Sequence, residues 1–307
     1  MSLIIFYITS AIIRCIQALP LPWVALSGRI GGRIAFYLDA RHRRVALVNL
    51  RQVFGGKKTD TEIYEIALEN FCRIGENYIS AMCMARMSDQ ELEKYCQVAG
   101  VEKIANKPGT NLRENRIVAL GHFGNFELNL ILVRKLAGYK GVSTYRGLRN
   151  PALNRILQNV RNSSGLILFE RRTEASKLKE ALNGKGIILG LFADQHAGNN
   201  GIWLPFLGTE CSTSAAPPVF SRRYKCPIFT VVNYRVGLGR WRVEVGDEIP
   251  THINGVPRSN TDIAGDMNLV FENAVLRDPA NWFWVHRRWK PRPIVIPTQA
   301  AVPSTPS

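Results

Sequence analysis

No HExxH, GxSxG or P-loop occurs in these 307 residues, and each absence removes a class of chemistry. Without HExxH a zinc hydrolase would need ligands the chain does not advertise. Without GxSxG there is no nucleophile elbow. "FGGKKTD" fails as a phosphate cradle because its first glycine stands at the wrong distance from the lysine. The six cysteines (15, 72, 83, 96, 211, 226) form no CxxC pair and have no histidine at zinc-finger spacing. Scattered in this way through a long chain, they read as reduced, mostly buried thiols of a cytoplasmic compartment. Acid is scarce too, with 24 acidic against 40 basic side chains, a net of +16, and none before Asp39. Such a field suits nucleic acid, anionic lipid headgroups or an acidic protein partner, and says nothing about fold. There is no internal repeat, and only the end, "PTQAAVPSTPS", lacks the apolar mass to fold. A loose tail is expected over 296–307.

What the chain does have is 46% hydrophobic content, enough for a sizeable core. Its first stretch stands apart. "LIIFYITSAII" is followed by Arg14 and then "CIQALPLPWVAL". No basic residue precedes the apolar run, so a cleaved signal peptide fits poorly. As a spanning helix it is imperfect, because Arg14 near its middle costs about 2.5–3.5 kcal/mol on insertion scales. Pro20 and Pro22 break the far end. A short tilted anchor or a helix lying in the interface is the expectation for residues 1–28. Arg29, Arg33, Arg41, Arg43 and Arg44 crowd the following stretch with only Asp39 against them. Basic residues after an apolar segment mark the cytoplasmic side and hold anionic headgroups.

Beyond this segment, apolar residues at Ile63, Ala67, Phe71, Ile74, Tyr78 and Met82 predict an amphipathic helix from Asp60 to about Arg86. Ser88 with Glu91 is a capping-box signature for a short helix after it. From residue 115 strands and helices alternate. "RIVAL" (116–120), "GVSTY" (141–145), "LILF" (166–169) and "IILGLF" (187–192) read as strands. Between them lie "NFELNLILVRKLAG", with Asn125 as candidate N-cap and Gly138 as stop, "PALNRILQNVRNSSG" and "EASKLKEALNGKG" as helices. "CPIFTVVNYR" and "RWRVEVGDEI" form strands around "VGLG", a hairpin turn, and a last helix runs from about Thr261 to Arg277. The expected fold is α/β: a mostly parallel central sheet flanked by helices, spanning 29–295, behind an N-terminal membrane-associated helix.

Ligands of such sheets bind beyond the carboxyl ends of the strands. Two polar clusters sit there: His122 past the first strand, and Asp194-Gln195 past the fourth. If those strands are neighbours, both clusters face one crevice. Within "GHFGNFEL" (121–128), Gly121 and Gly124 permit a sharp turn. With Asn125 starting a helix, Glu127 falls in its first turn, where the helix dipole favours a carboxylate. The turn could fold Glu127 back to accept the Nδ1–H of His122, leaving Nε2 as a general base. A histidine alone at a strand end also fits a backbone hydrogen bond and no chemistry.

Together these residues resemble the bacterial lipid A late acyltransferases, within the wider lysophospholipid acyltransferase superfamily. The blocks that carry it are "RHRRVALVNLRQVF" (41–54), "GHFGNFE" in the family's H-x4-[DE] form, "YRGLRNPALNRILQNVR", "ADQHAGNNGIWLPFLG" (193–208) and "WFWVHRRWKPRP" (282–293). The resemblance implies transfer of a fatty acyl chain from an acyl-carrier-protein thioester to a lipid hydroxyl, with no cofactor or metal. His122 would remove the hydroxyl proton and Glu127 would orient it. By position Arg161 and Asp194 correspond to further family residues at the site; a second arginine common in the family is here Ser163. With Asn125, Arg146 and Gln195 from the same blocks, they are the expected substrate-binding residues. The expected partners are acyl carrier protein, an anionic glycolipid acceptor and a membrane surface, not nucleic acid, at the cytoplasmic face of a bacterial inner membrane. The acidic carrier protein and anionic headgroups would both use the positive field. His286, Arg287 and Arg288, interleaved with Trp282, Trp284 and Trp289, could form an interfacial belt or an ordinary buried aromatic cluster. Another glycolipid or aminolipid acceptor, with acyl-CoA as donor, keeps the same chemistry. A non-enzymatic basic protein would instead bind in a steeply salt-dependent way and not need His122.

Overall fold

The structure is a computed structural model that describes residues 11, 13–105, 113–129, 133, 135–136, 138–145, 165–171 and 173–292. After a helical stretch at 13–17, three longer helices follow: α1 (Leu21–Leu38), α2 (Ala40–Phe54) and α3 (Asp60–Met84). The helical residues 13–17 end before Pro20, as expected of the two prolines. The same prolines open α1, with Pro20 as N-cap and Pro22 in the first turn, where a missing N–H costs nothing. Asp39 then caps α2 by accepting from His42 N–H, and Thr59 with Glu62 forms a full capping box for α3.

α1 crosses α3 with backbone against backbone. A Cβ on Gly32 would stand 2.1 Å from Phe71 O, and one on Gly75 would stand 2.1 Å from Gly28 O. Only glycine lets the two helices approach this closely. The crossing is tied by the buried Glu76 carboxylate, which accepts from Arg29 (3.2 Å), Arg235 Nε (2.8 Å) and Gly239 N–H (2.9 Å). A buried charge is tolerable only when its oxygens are satisfied in this way.

A seven-stranded sheet follows. Its members are β1 (Cys96–Ala99), β2 (Arg116–Leu120), β3 (Lys140–Tyr145), β4 (Ile167–Glu170), β5 (Ile187–Phe192), β8 (Ile228–Gly237) and β9 (Arg240–Val245), in the order β1-β9-β8-β2-β5-β3-β4. Outside it lie two hairpins, β6 (Ile202–Phe206) with β7 (Thr209–Thr213), and β10 (His252–Ile253) with β11 (Val256–Pro257). The strands β8, β2, β5, β3 and β4 run parallel, while β9 and β1 run the other way. Further α-helices among the described residues are α4 (Asp89–Glu93), which carries the expected Ser88–Glu91 capping box, α5 (Val101–Ile104), α6 (Ala175–Asn183), α7 (Ala216–Tyr224) and α8 (Asn260–Arg277).

The central strands are buried on both faces, which is why they read as unbroken apolar runs rather than as alternations. Ile117 and Ala119 of β2 enter one core with α2, α3, α6 and α8. Val118 and Leu120 enter a second, with Leu21 and Val24 of α1, Met84 and Trp241. The mostly parallel sheet flanked by helices is therefore as the alternation implied. The hairpin at "VGLG" is present as well. β1 and the β6–β7 hairpin were not expected; β1 is four residues long, and "GIWLPFLG" had no strand assigned. Among the described residues no helix is long and apolar enough to cross a membrane, and residues 1–10 lie outside them.

Candidate active site

Strand register decides what meets at the end of the sheet. β2 and β5 are parallel neighbours with Leu120 opposite Phe192. His122 and Asp194 are each two residues past that pair, so they emerge side by side. The Ala193 N–H to Leu120 O bond (2.9 Å) extends the ladder to their threshold. Asp194 is wholly buried, and His122 keeps 17% of its side chain exposed.

The contact between them is double. His122 Nδ1 lies 2.8 Å from Asp194 Oδ1, and the His122 backbone N–H donates to Oδ2 at 2.8 Å. The indole Nε1–H of Trp282 donates to the same Oδ2 at 2.8 Å. Burial alone would raise the Asp194 carboxyl, but the charge of His122 and these hydrogen bonds hold it below its ordinary value. An ionised carboxylate only accepts, so Nδ1 carries the imidazole proton and Nε2 is left as the acceptor. The ring is walled by aromatics, with Phe192 at 4.3 Å and Phe126 at 5.0 Å between centroids.

This corrects one expectation. The carboxylate on Nδ1 is that of Asp194, not Glu127. The α-helix expected to start at Asn125 opens instead as a single 3-10 turn, Phe126–Leu128, and Asn125 makes no side-chain cap. Glu127 thus lines the pocket beside His122, while the neighbouring parallel strand delivers the carboxylate that reaches Nδ1. Asn125 is itself a buried wall. Its carbonyl accepts from Asn233 Nδ2 (2.7 Å), and its own amide points at Met84 Sδ. Gly124 sits at φ +48°, and a Cβ there would stand 2.7 Å from Asn233 O, so this turn requires glycine to pass close to β8.

An open-mouthed pocket of ≈ 340 Å³, counting the solvent at its mouth, lies over His122. Arg73 and Tyr78 of α3, Glu127 and Phe283 line it. Arg73 enters it already paired with Glu69 (2.8 Å) and Asp278 (2.7 Å). Gln195 follows Asp194, and its carbonyl accepts from Arg288 Nη1 at 3.0 Å. Arg146 and Arg161 lie outside the described residues.

Nucleophilic thiols have no support here. Burial pushes Cys96 up to about 12 and Cys226 up to about 11, so neither is a thiolate at neutral pH. Among the described residues no cluster of three His, Cys, Asp or Glu side chains could hold a metal ion.

For the C-terminal segment the structure chooses between two readings that the sequence leaves open. Trp282 and Trp284 are not a surface belt; they are buried in the first core, and Arg288 is buried behind Asp194 with its guanidinium on Ser212 O and Thr213 Oγ1. The segment has little regular structure, so buried amides satisfy its backbone. Asn49 Nδ2 donates to Trp284 O and His286 O, and Asn70 Nδ2 to Ala280 O and Trp282 O. Asn281 Nδ2 donates to Asn233 O. Phe283 N–H to His122 O (3.1 Å) and Gly124 N–H to Asn281 O (2.9 Å) then join the segment to the histidine turn. One signal was available: Asn70 and Asn77 fall on the apolar stripe of α3, where an amide must have a partner inside.

The chain's likeness to known proteins bears on this site. The family profile described as bacterial lipid A biosynthesis acyltransferase matches residues 1–291. A lipid A biosynthesis acyltransferase of Haemophilus influenzae is 25% identical, covering 94% of this chain and 91% of its own. A lipid A biosynthesis palmitoleoyltransferase of Escherichia coli is 23% identical, covering 90% and 88%. A lauroyltransferase of the same pathway and organism is 22% identical, covering 92% and 90%.

Proposed function

The chain belongs to the bacterial lipid A biosynthesis acyltransferase family and is an acyltransferase, and from that premise we propose that it moves a fatty acyl chain from an acyl-carrier-protein thioester to a hydroxyl of a lipid A precursor. The observation that carries the reading is His122 lining an open pocket with the buried Asp194 on its Nδ1, which leaves Nε2 as the acceptor. Nε2 takes the proton of the acceptor hydroxyl as its oxygen attacks the thioester carbonyl carbon. The C–S bond then breaks, and the departing carrier thiolate takes that proton back from the imidazolium. A base so placed contributes about 10²–10⁴-fold. No acyl-enzyme is required, which agrees with the absence of an activated thiol. Glu127 acts from the pocket wall, on the acceptor or the imidazole as it moves. Asn125 shapes that wall, and Gln195, Arg146 and Arg161 are read as substrate contacts through the family resemblance.

Membrane attachment is part of the same proposal. The outer face of α1 presents Trp23, Leu26, Ile30, Ile34, Tyr37 and Leu38 to solvent, with Arg33, Arg41 and Arg44 exposed beside or just beyond them. An apolar stripe flanked by arginine suits the interface of an anionic membrane, here the cytoplasmic face of a bacterial inner membrane. The net charge of +16 also suits an acidic carrier protein as donor.

The test uses the full chain in detergent with acyl-carrier-protein thioesters of several lengths and a lipid A precursor, following acceptor mass, with His122→Ala alongside. Gain of one acyl mass, lost in the variant, is expected. An unchanged rate in His122→Ala would sink the mechanism. Thioester consumption with total membrane lipid but not with lipid A precursor would move the acceptor to another glycolipid, and turnover with acyl-CoA alone would replace the donor.

A further inference from the structure

The Asp194 carboxylate receives three hydrogen bonds, and two of them come from His122 itself. The third comes from a residue 88 positions away, through the Trp282 indole at 2.8 Å. Trp282 is 1% exposed and its segment is held from three directions, by Asn70 of α3, by the histidine turn, and by Asn233 of β8, whose carbonyl accepts from Asn281. So much anchoring fixes the indole N–H relative to Asp194 rather than leaving it a loose packing residue. An unsupported buried carboxylate could rotate off the imidazole or take up a proton. The indole opposes both, since it donates to Oδ2 while Oδ1 meets the ring.

We propose that Trp282 is a positioning residue of the acyl transfer, its indole N–H locking the Asp194 carboxylate against His122 so that Nε2 faces the acceptor hydroxyl. The proposal rests on the reading of His122 as base. Trp284 supplies the internal control. It is equally buried and lies in the same core, but its indole donates to Pro279 O and makes no bond to Asp194. The titratable groups that face Asp194 are His122 from the β2 turn and His286 and Arg288 from the C-terminal segment. All three remain in place in either tryptophan variant.

The experiment compares Trp282→Phe with Trp284→Phe in the full chain in detergent, measuring kcat, KM and the pH dependence of kcat/KM, with thermal melting to count folded protein. Both variants lose indole packing and melt earlier. Only Trp282→Phe is expected to lose about 10-fold in kcat at unchanged KM, as is usual when the partner of a working ligand or base is removed. Its acidic limb should rise by about one pH unit, because a carboxylate short of one donor holds a proton, or the imidazolium, more tightly. Should Trp282→Phe fail to fold, 3-benzothienylalanine at position 282 keeps the shape and removes only the N–H, with the same outcome expected. An acidic limb identical to that of the parent protein, or one displaced equally in Trp284→Phe, would overturn the role. Full activity in His122→Ala would instead indict the base, not the tryptophan.

Discussion

Two tryptophan-bearing regions of this chain put the same residue type to opposite uses. On α1, Trp23 is 68% exposed, within a stripe of apolar side chains that stand largely exposed among the described residues. At the other end of the sequence Trp282 is 1% exposed and donates to the carboxylate that holds His122. The helix needs none of its outer face to fold, because its inner face is locked to α3 by glycine contact and the Glu76 ion cluster. The C-terminal segment, without a ladder of its own, must bury its aromatics and take its hydrogen bonds from asparagines. Hydrophobicity therefore says that a residue avoids water; only its neighbours say whether it turns to the core or stays at the surface.

The largest effect should come from cutting the buried end of this comparison. Asp194→Asn turns an NH2 towards donors, and acyl transfer should fall about 10²–10⁴-fold, more than for Glu127→Gln, in single-turnover assays. The reverse ranking would return the orienting role to Glu127. At the exposed end, Trp23→Ser with Ile30→Ser and Ile34→Ser should weaken binding to anionic vesicles by at least ~100-fold, given about 1.5–3 kcal/mol for each fully buried side chain. Melting should hardly change. Unaltered sedimentation with vesicles would show that other surfaces suffice.

The glycine lock sharpens the contrast within α1. Gly32→Ala forces a Cβ against Phe71 O and should destabilise by about 1–3 kcal/mol in urea titrations. Gly31, with open space around it, should accept alanine without loss, and gain about 0.5–1 kcal/mol from helix propensity. Equal effects at the two positions would mean the helices do not touch as described. The smallest effect concerns acid. Burial lowers His286 from 6.5 to about 4, so between those values the unfolded chain binds a proton that the folded chain refuses. Stability should thus fall as pH drops through this window, by about 1 kcal/mol between pH 7 and 5 after allowing for solvent screening of a part-exposed ring. Denaturation midpoints of His286→Leu should show a flatter profile.

Much of this was legible beforehand, for identifiable reasons. "RIVAL" and "IILGLF" announced central strands because burial on both faces leaves no polar position. Their positions in chain order put His122 and Asp194 at strand ends, which is where α/β sheets work. The capping boxes at Thr59 and Ser88 are local, with donor and acceptor three residues apart, and Ser88 was readable for that reason. β1 was not, since four residues acquire a partner only when β9 lies alongside. Glu127 was favoured over Asp194 as the partner of Nδ1 because it is near in sequence. The tryptophans of 282–289 were open between belt and core because composition is the same for both.

The sequence alone determined which segments are apolar, which chemistry stands at the ends of strands, and the family to which the order of motifs belongs, since each follows from local pattern. The tertiary structure alone decided which carboxylate meets the imidazole, which tryptophan is wet and which is dry, and where buried asparagines are spent. Those outcomes depend on strand register and on contacts between residues tens to hundreds of positions apart, and no local period in the chain encodes them.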